Sequence, residues 1–210
     1  MKARRDKSAL IIVALAMALL YLAGMLRHCR GNPCVPLDDS FIYFQYARQA
    51  AQGNPWQYNA GDEPSTGATS YLYLAILAAG YKVGFTGERI IFFTFGLNTV
   101  FLSLSALIVY RVTLLLAGDA PGVWGQQPQS ATAPRLQAGV AGLLLLFNGS
   151  LLWGYFSGLE IGLFTTIILA TLYASISKPL WMATIFACLM ALCRPEGLVL
   201  AIFWGVVMGL

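Results

Sequence analysis

Charge is the scarcest property of this 210-residue sequence, because only 10% of its residues are Asp, Glu, Lys or Arg. A soluble domain carries about 25% charged residues, and it needs polar groups to cover its surface in water. Apolar residues make up 58% of the chain, and the mean hydropathy is +0.69. The composition therefore excludes an ordinary soluble domain and predicts an integral membrane protein whose few charges lie outside the apolar runs.

Several ligand-binding signals are also missing. The chain has no G-x-x-x-x-G-K-[ST] loop, no G-x-G-x-x-G turn and no set of His and Cys at metal-binding spacing. Its single histidine, His28, follows the first apolar run and is interpreted as an interfacial residue. The net charge of +4 comes without a dense Lys/Arg segment on a soluble fold, so we expect no nucleic-acid partner.

Only four cysteines are present. Cys29 and Cys34 lie just past the first apolar run, where an oxidising exterior would allow a disulfide, although the loop between them is short. Cys188 and Cys193 lie in an apolar run and are interpreted as small buried hydrophobic residues. The sequence alone leaves the pairing of Cys29 with Cys34 open.

The apolar runs predict an all-α fold, a polytopic bundle of transmembrane helices in one membrane domain. A crossing helix needs about 20 apolar residues, so the shorter run at 70–83 is interpreted as an interfacial helix. The predicted segments are a cytoplasmic tail at 1–7, spans at 8–26, 88–116, 136–155, 161–176, 181–193 and 198–210, an extracytoplasmic loop at 27–87 with interfacial helices at 39–52 and 70–83, and a cytoplasmic loop at 117–135. Because the chain stops inside an apolar run, we expect the N-terminal part of a larger bundle.

Basic residues set the predicted orientation. A cluster before the first span places the N-terminus in the cytoplasm of a multi-pass protein of the cell inner (plasma) membrane. The cluster consists of Lys2, Arg4, Arg5 and Lys7. If 70–83 does not cross, Glu160 and Glu196 lie outside with Asp38 and Asp39, and the residues facing the cytoplasm include Arg111, Arg135 and Lys178. If it crosses, Lys82 and Arg89 lie inside and Glu160 lies opposite the aspartates; the short run favours the first arrangement.

Asp38 and Asp39 are the first candidate for chemistry. Neighbouring carboxylates repel each other, so one of them can hold a proton near neutral pH and act as a base. Together they can also bind a divalent cation through oxygen ligands. The simpler interpretation is an N-cap of the helix at 39–52 with a solvated neighbour.

Three further places hold polar groups between apolar runs. Glu160, in residues 157–160, is either a functional acid or a first-turn acid favoured by the helix dipole. Arg194 and Glu196, in residues 194–197, are either a phosphate-binding pair or an ion pair at the interface. The loop at 59–70 is rich in small hydroxyl residues and glycine, which allow close approach to a ligand or simply make turns.

The order of these motifs resembles the GT-C membrane glycosyltransferases. Residues 35–48 (VPLDDSFIYFQYAR) resemble the first-loop motif of this superfamily, as found in bacterial proteins similar to protein mannosyltransferases, aminoarabinose transferases and mycobacterial arabinofuranosyltransferases. The resemblance continues at residues 58–64 (YNAGDEP), 65–70 (STGATS), 157–160 (SGLE) and 193–197 (CRPEG). It implies a cytoplasmic N-terminus and a large first extracytoplasmic loop with juxtamembrane helices.

The resemblance also implies an activity, which is sugar transfer outside the cytoplasm from a polyprenyl-phosphate sugar to a glycan, lipid or protein acceptor, with inversion. Asp38 would act as the base, and Asp39 would orient the acceptor or share a divalent metal ion with Glu160. Arg194, with Arg89 second, would stabilise the departing phosphate. The other residues expected to bind substrate are Tyr43, Arg48, Thr69, Ser70 and Glu196.

Members of this superfamily usually have more spans and often a soluble C-terminal domain, and the sequence contains neither. Two alternatives therefore remain beside the enzyme. One is a transporter or lipid-binding protein that uses the same cavity without chemistry, which would place charged or broken helices at mid-membrane depth. The other is a truncated, inactive relative or a scaffold subunit.

Overall fold

A computed structural model describes residues 2–117 and 133–209 of the chain. Every regular element in these two stretches is a helix, which confirms the predicted all-α class. The helices are α1 (Lys2–His28), α2 (Asp39–Ala51), α3 (Tyr71–Lys82), α4 (Arg89–Leu116), α5 (Ala133–Leu146), α6 (Gly149–Tyr155), α7 (Ile161–Ser177), α8 (Leu180–Cys193) and α9 (Pro195–Val207). Residues 2–7 of the predicted tail are already helical, and the predicted cytoplasmic loop at 117–135 lies mostly outside the described residues.

Helices α1 and α4 are long and apolar enough to cross a membrane. The apolar stretch of α1, Arg5–His28, has 24 residues and a hydropathy of 2.6, and α4 has 28 residues and a hydropathy of 2.0. At 1.5 Å per residue each exceeds the hydrocarbon thickness of about 30 Å. The two helices run antiparallel, because Tyr110 near the end of α4 donates a hydrogen bond of 3.2 Å to Asp6 near the start of α1.

The segment predicted as a span at 136–155 is interrupted in the structure, and its crossing of the membrane stays a prediction. α5 ends at Leu146, α6 begins at Gly149, and their axes differ by 62°. Asn148 explains the break, because its side-chain oxygen accepts a hydrogen bond of 3.0 Å from the Leu151 N–H and starts a new helix. The pair α5–α6 is therefore one broken crossing or a re-entrant segment.

The last three helices, α7, α8 and α9, are apolar but short. They have 17, 14 and 13 residues, so their lengths of about 26, 21 and 20 Å fall below the hydrocarbon thickness. α7 packs on α8 and α8 on α9, and Trp204 near the end of α9 donates a hydrogen bond of 2.7 Å to Ser175 near the end of α7. Membrane crossing by these helices, and with it the polytopic bundle, stays a prediction.

Helices α2 and α3 form in the first loop, where the sequence predicts helices at 39–52 and 70–83. α3 begins at its cap Ser70, whose hydroxyl accepts a hydrogen bond of 3.3 Å from the Tyr73 N–H. Ahead of α2, Cys29 and Cys34 form a disulfide with their Cα atoms 6.4 Å apart, an ordinary separation. The placement of α2 and α3 at a membrane surface stays a prediction.

Two apolar cores hold these helices together. One joins α2 and α3 to α4, α7 and α8 through residues that include Tyr73, Leu77 and Leu163. The other joins α1 to α4, α5 and α6. Many large apolar side chains remain exposed, notably along α1 and α9. Patches of this kind mark surfaces that contact lipid or protein, which agrees with membrane association through two or three apolar helices.

The packing gives the described residues two distinct ends. At one, which we call the Glu160 end, the last turn of α1, the first turn of α4 and the turn before α7 lie together. At the other, the basic end, the charges of Arg111 and Arg135 act on the Tyr110 hydroxyl. α7 runs beside α4 in the same direction, since Thr166 contacts Ser105 at 2.9 Å, and Lys178 therefore lies toward the basic end.

Candidate active site

Glu160 is the most unusual polar side chain at its end of the molecule. It precedes the first residue of α7 and is only 4% exposed. Its Oε1 lies 3.5 Å from the Arg194 Nε, and its Oε2 is buried with no hydrogen-bond partner among the described residues. A buried carboxylate oxygen without a donor is costly, so this atom is a candidate to bind a ligand group.

Arg194 connects Glu160 to the protein surface. Its side chain is 33% exposed and also contacts Glu196, with Nε 3.3 Å and Nη2 3.4 Å from the two carboxylate oxygens. The guanidinium lies 5.8 Å from the centre of the Phe164 ring, within cation–π range. The backbone N–H of Glu196 and the Arg194 charge lower the pKa of the Glu196 carboxyl, which is exposed in the first turn of α9.

Tyr43 brings α2 to the same place. Its hydroxyl lies 3.0 Å from the Thr69 hydroxyl and accepts a hydrogen bond of 3.1 Å from the Ser70 N–H. Burial raises the pKa of the Tyr43 hydroxyl, and the negative charge of Glu160 raises it further. Tyr43 therefore stays protonated at neutral pH, and its single proton faces Glu160 when Thr69 is the donor in their contact.

Ser70 links this group of residues to α8. Its hydroxyl is buried and donates a hydrogen bond to the Cys193 sulfur at 3.8 Å, one residue before Arg194. α8 ends at Cys193 and α9 starts at Pro195, and the backbone of Arg194 between them is extended. Five predicted site residues are thus joined by contacts, namely Tyr43, Thr69, Ser70, Glu160 and Arg194, and Glu196 contacts this group through Arg194.

Asp38 and Asp39 lie at the start of α2 and both are exposed. Asp38 occupies the N-cap position, but its side chain makes no capping hydrogen bond. The neighbouring Ser40 is buried and donates a hydrogen bond of 2.8 Å to the Ser157 carbonyl, so the acidic pair lies at the Glu160 end. The carboxylates themselves remain accessible to an external ligand.

The remaining predicted residues are less central. Arg48 is exposed in the last turn of α2, and Arg89 is exposed at the first residue of α4. In the described part of the chain, neither forms an ion pair with Glu160. No three His, Cys, Asp or Glu side chains come together as a metal-binding group in residues 2–117 and 133–209. The divalent ion therefore stays a prediction.

Two buried residues of this region were not predicted from the sequence. Tyr73 donates a hydrogen bond of 2.9 Å to the Gly158 carbonyl, and burial raises the pKa of its hydroxyl. Asn98, on α4, is fully buried and its side-chain oxygen has no described partner. Both lie in apolar runs, where a tyrosine or asparagine gives no signal that distinguishes a site residue from a core residue.

The chain was compared with protein-family models, curated proteins and solved structures, and none of them matches it. The function must therefore be argued from the residues themselves. Their arrangement combines a buried carboxylate whose Oε2 has no described partner, a guanidinium that is one-third exposed and a protonated phenol, with a pair of exposed carboxylates at the same end.

Proposed function

We propose that this chain is a membrane glycosyltransferase of the GT-C type. In this proposal it transfers a sugar from a polyprenyl-phosphate donor to an acceptor hydroxyl at the extracytoplasmic face of the inner membrane. The observation that carries the proposal is the buried Glu160 carboxylate, with one free oxygen beside Arg194 and Tyr43, at the end of the molecule where Asp38 and Asp39 are exposed. The resemblance of the sequence motifs supplies the reaction class.

The proposed reaction is a direct displacement at the anomeric carbon. Asp38 takes the proton of the acceptor hydroxyl as its oxygen forms the new bond to the sugar. The bond between the anomeric carbon and the phosphate oxygen breaks, and its electron pair leaves with the polyprenyl phosphate. Inversion follows, because the acceptor attacks from the face opposite the leaving group.

The positive charge of Arg194 suits the leaving phosphate. A guanidinium offers paired donors to phosphate oxygens, and Arg194 is one-third exposed, so a lipid head group can reach it. Glu196 is exposed and shares the same guanidinium, and it would release Arg194 to the phosphate. The free Oε2 of Glu160 then accepts a hydrogen bond from a sugar hydroxyl and orients the ring.

A divalent metal ion fits these residues poorly. Asp39 and Glu160 are the proposed ligands, but Arg194 already lies 3.5 Å from the Glu160 carboxylate and balances its charge. A cation would have to displace that guanidinium before it could bind. The proposed reaction therefore relies on Arg194 for positive charge.

Two features support an extracytoplasmic site. The disulfide between Cys29 and Cys34 lies at the Glu160 end, and disulfides persist mainly in oxidising compartments. The basic end carries Arg111, Arg135 and Lys178, which agrees with the tendency of Lys and Arg to face the cytoplasm. This orientation leaves the N-terminus inside and the proposed site outside.

The proposal is tested with purified protein in lipid vesicles and labelled polyprenyl-phosphate arabinofuranose, mannose and aminoarabinose as donors. Asp38→Asn should reduce transfer by about 100-fold or more, since it removes the base, while membrane insertion stays normal. Glu63→Gln is the matched control, because Glu63 is another exposed carboxylate of the first loop. Transfer that survives Asp38→Asn at the wild-type rate would refute the assignment.

A transporter or lipid-binding protein is the second candidate, favoured by the 62° break between α5 and α6. Broken helices in membranes are tolerated where they line a cavity and are common in transporters. The same vesicles distinguish the two candidates. Movement of the labelled lipid across the bilayer without any glycosylated product would assign transport.

A further inference from the structure

Glu160 is presented by a short turn between α6 and α7. Inside the turn, the Ser157 hydroxyl donates a hydrogen bond of 2.8 Å to the Gly154 carbonyl and accepts one of 3.3 Å from the Leu159 N–H. Gly158 has φ +88°, a conformation that side chains other than glycine rarely adopt. Neither hydrogen bond involves the backbone carbonyl of Ser157 or that of Gly158.

Both carbonyls are bonded by residues of the first loop. Ser40, at the start of α2, donates a hydrogen bond of 2.8 Å to the Ser157 carbonyl. Tyr73, in the first turn of α3, donates a hydrogen bond of 2.9 Å to the Gly158 carbonyl. The two donors are fully buried and lie 117 and 85 residues away along the chain, so these are tertiary contacts.

The contact between the loop and the turn leaves no free space. A Cβ atom placed on Gly158 would lie 2.7 Å from the Ser40 hydroxyl and 2.9 Å from Val35 Cγ1, both shorter than real Cβ contacts. The backbone of the turn therefore rests directly on α2 and on the segment before it. The side chain of Glu160, in contrast, is held among the described residues by the ion pair with Arg194 at one oxygen and lies beside the Tyr43 hydroxyl.

We propose that Ser40 and Tyr73 are positioning residues, which hold the turn so that the Glu160 carboxylate stays buried beside Arg194 and at a fixed place relative to Asp38 and Asp39. Ser40 is adjacent to Asp39, so one element sets both the acidic pair and the turn. Neither donor touches substrate in this scheme. The catalytic consequence rests on the proposed function, whereas the structural consequence does not.

The first measurement follows the burial of position 160 and needs no activity. Glu160→Cys is combined with Tyr73→Phe or with Ser40→Ala, and alkylation of residue 160 by a water-soluble maleimide is timed by mass spectrometry of its peptide. Each variant removes one donor and frees the turn, so the rate should rise by about 10-fold, the penalty of losing one buried hydrogen bond. Ser40→Ala tests the same contact if Tyr73→Phe fails to fold.

Tyr110→Phe is the matched control. Tyr110 is equally buried, and its hydroxyl donates a hydrogen bond of 3.2 Å to Asp6 at the basic end, far from the turn. It should leave alkylation of Cys at position 160 unchanged. A similar rise in all three variants would mean general loosening of the fold and would overturn the proposal.

The second measurement is the kinetics of sugar transfer with Glu160 in place. Tyr73→Phe and Ser40→Ala should lower kcat by about 10- to 100-fold, the effect expected of a displacement near 1 Å, and leave KM within about twofold. Faster alkylation together with no transfer by the wild-type protein supports the positioning role and rejects the glycosyltransferase. Unchanged alkylation and unchanged kcat in both variants reject the positioning role even where transfer is observed.

Discussion

At the scale of single residues, the balance of charge around Glu160 decides how the site behaves. Glu160 is almost fully buried, Arg194 is one-third exposed, and Glu196 is exposed. Taking a carboxylate out of water is costly unless a partner compensates, and Arg194 is the one cation in ion-pair contact with Glu160 among the described residues. Removing Arg194 alone should therefore lower the stability of the fold more than removing the charges of Arg194 and Glu160 together.

This reasoning predicts a specific pattern of stability. Arg194→Met should lower the free energy of unfolding by about 2 kcal/mol, less than for a fully buried pair because solvent already screens the guanidinium. Adding Glu160→Gln to that variant should restore most of the loss, since no uncompensated charge remains. Denaturant titration in mixed micelles measures both values.

Glu196→Gln serves as the reference for the same experiment. Its side chain is exposed and contacts the same guanidinium, so its loss should leave the denaturant midpoint nearly unchanged. If the single variant Arg194→Met proves as stable as the double variant, an uncompensated charge on Glu160 does not destabilise the fold, and the prediction fails.

The sequence predicted these residues unevenly. Isolated acids and arginines between apolar runs are visible in a sequence because a membrane excludes charge, and Glu160 and Arg194 were found in this way. Tyr73 was missed because a tyrosine is compatible with both an apolar core and a site. The exposure of Asp38 and Asp39 is also a tertiary property, since it depends on how α2 sits on the turn before α7.

At the scale of helices, capping residues and proline set where a helix begins, even within a long apolar run. Asn148 starts α6 within a stretch that reads as one span, and Pro195 starts α9 directly after α8. The sharp reversal at Arg194 brings Gly197 against the backbone carbonyl of Met190. Glycine is needed there because a Cβ atom would collide with that carbonyl and lie 3.0 Å from the Phe164 ring.

Gly197→Ala should therefore lower stability by about 1–3 kcal/mol, the usual cost of overpacking, because a backbone atom cannot move aside as a side chain can. The measurement is thermal unfolding of the purified protein in detergent. Alkylation of a cysteine at position 160 should also become faster, because a shift of the junction between α8 and α9 would move Arg194 away from that position.

Gly96→Ala provides the control for this substitution. Gly96 lies inside α4 with open space around its Cβ position, so alanine should stabilise the helix by about 0.5–1 kcal/mol. Opposite signs at the two glycines are the expected result. Equal effects would show that the reversal between α8 and α9 is looser than the structure indicates.

At the scale of the whole molecule, charge and covalent chemistry separate the two ends. The Glu160 end carries the disulfide and the exposed aspartates, and the basic end carries Arg111, Arg135 and Lys178. If the chain crosses the bilayer as proposed, the ends face different compartments. Only an experiment on intact cells can address that placement, since helix lengths alone identify two or three candidate spans.

Single cysteines at positions 63 and 178 test the orientation. Glu63→Cys should react with a membrane-impermeant maleimide on intact cells, whereas Lys178→Cys should react only after permeabilisation. Cys188 is replaced by serine in both proteins, because it is an exposed free cysteine, contrary to its predicted burial. Reaction of both positions from the same side would contradict the proposed orientation.

The sequence predicted the helical class and most helix positions, because apolar runs and capping residues mark them directly. It did not predict the shape of the assembly. The lengths of α7, α8 and α9 fall between those of a buried core helix and a span, and periodicity does not distinguish the two. The docking of the first loop on the turn at 157–160 involves contacts more than 80 residues apart, which leave no local pattern.

The disulfide between Cys29 and Cys34 has a consequence for biosynthesis. Ser40 is synthesised 117 residues before Ser157. Val35, next to Cys34, lies against Gly158 at the same contact. If this segment is exported as proposed, the disulfide can form before the turn at 157–160 is translated. The turn would then fold against a segment that is already cross-linked.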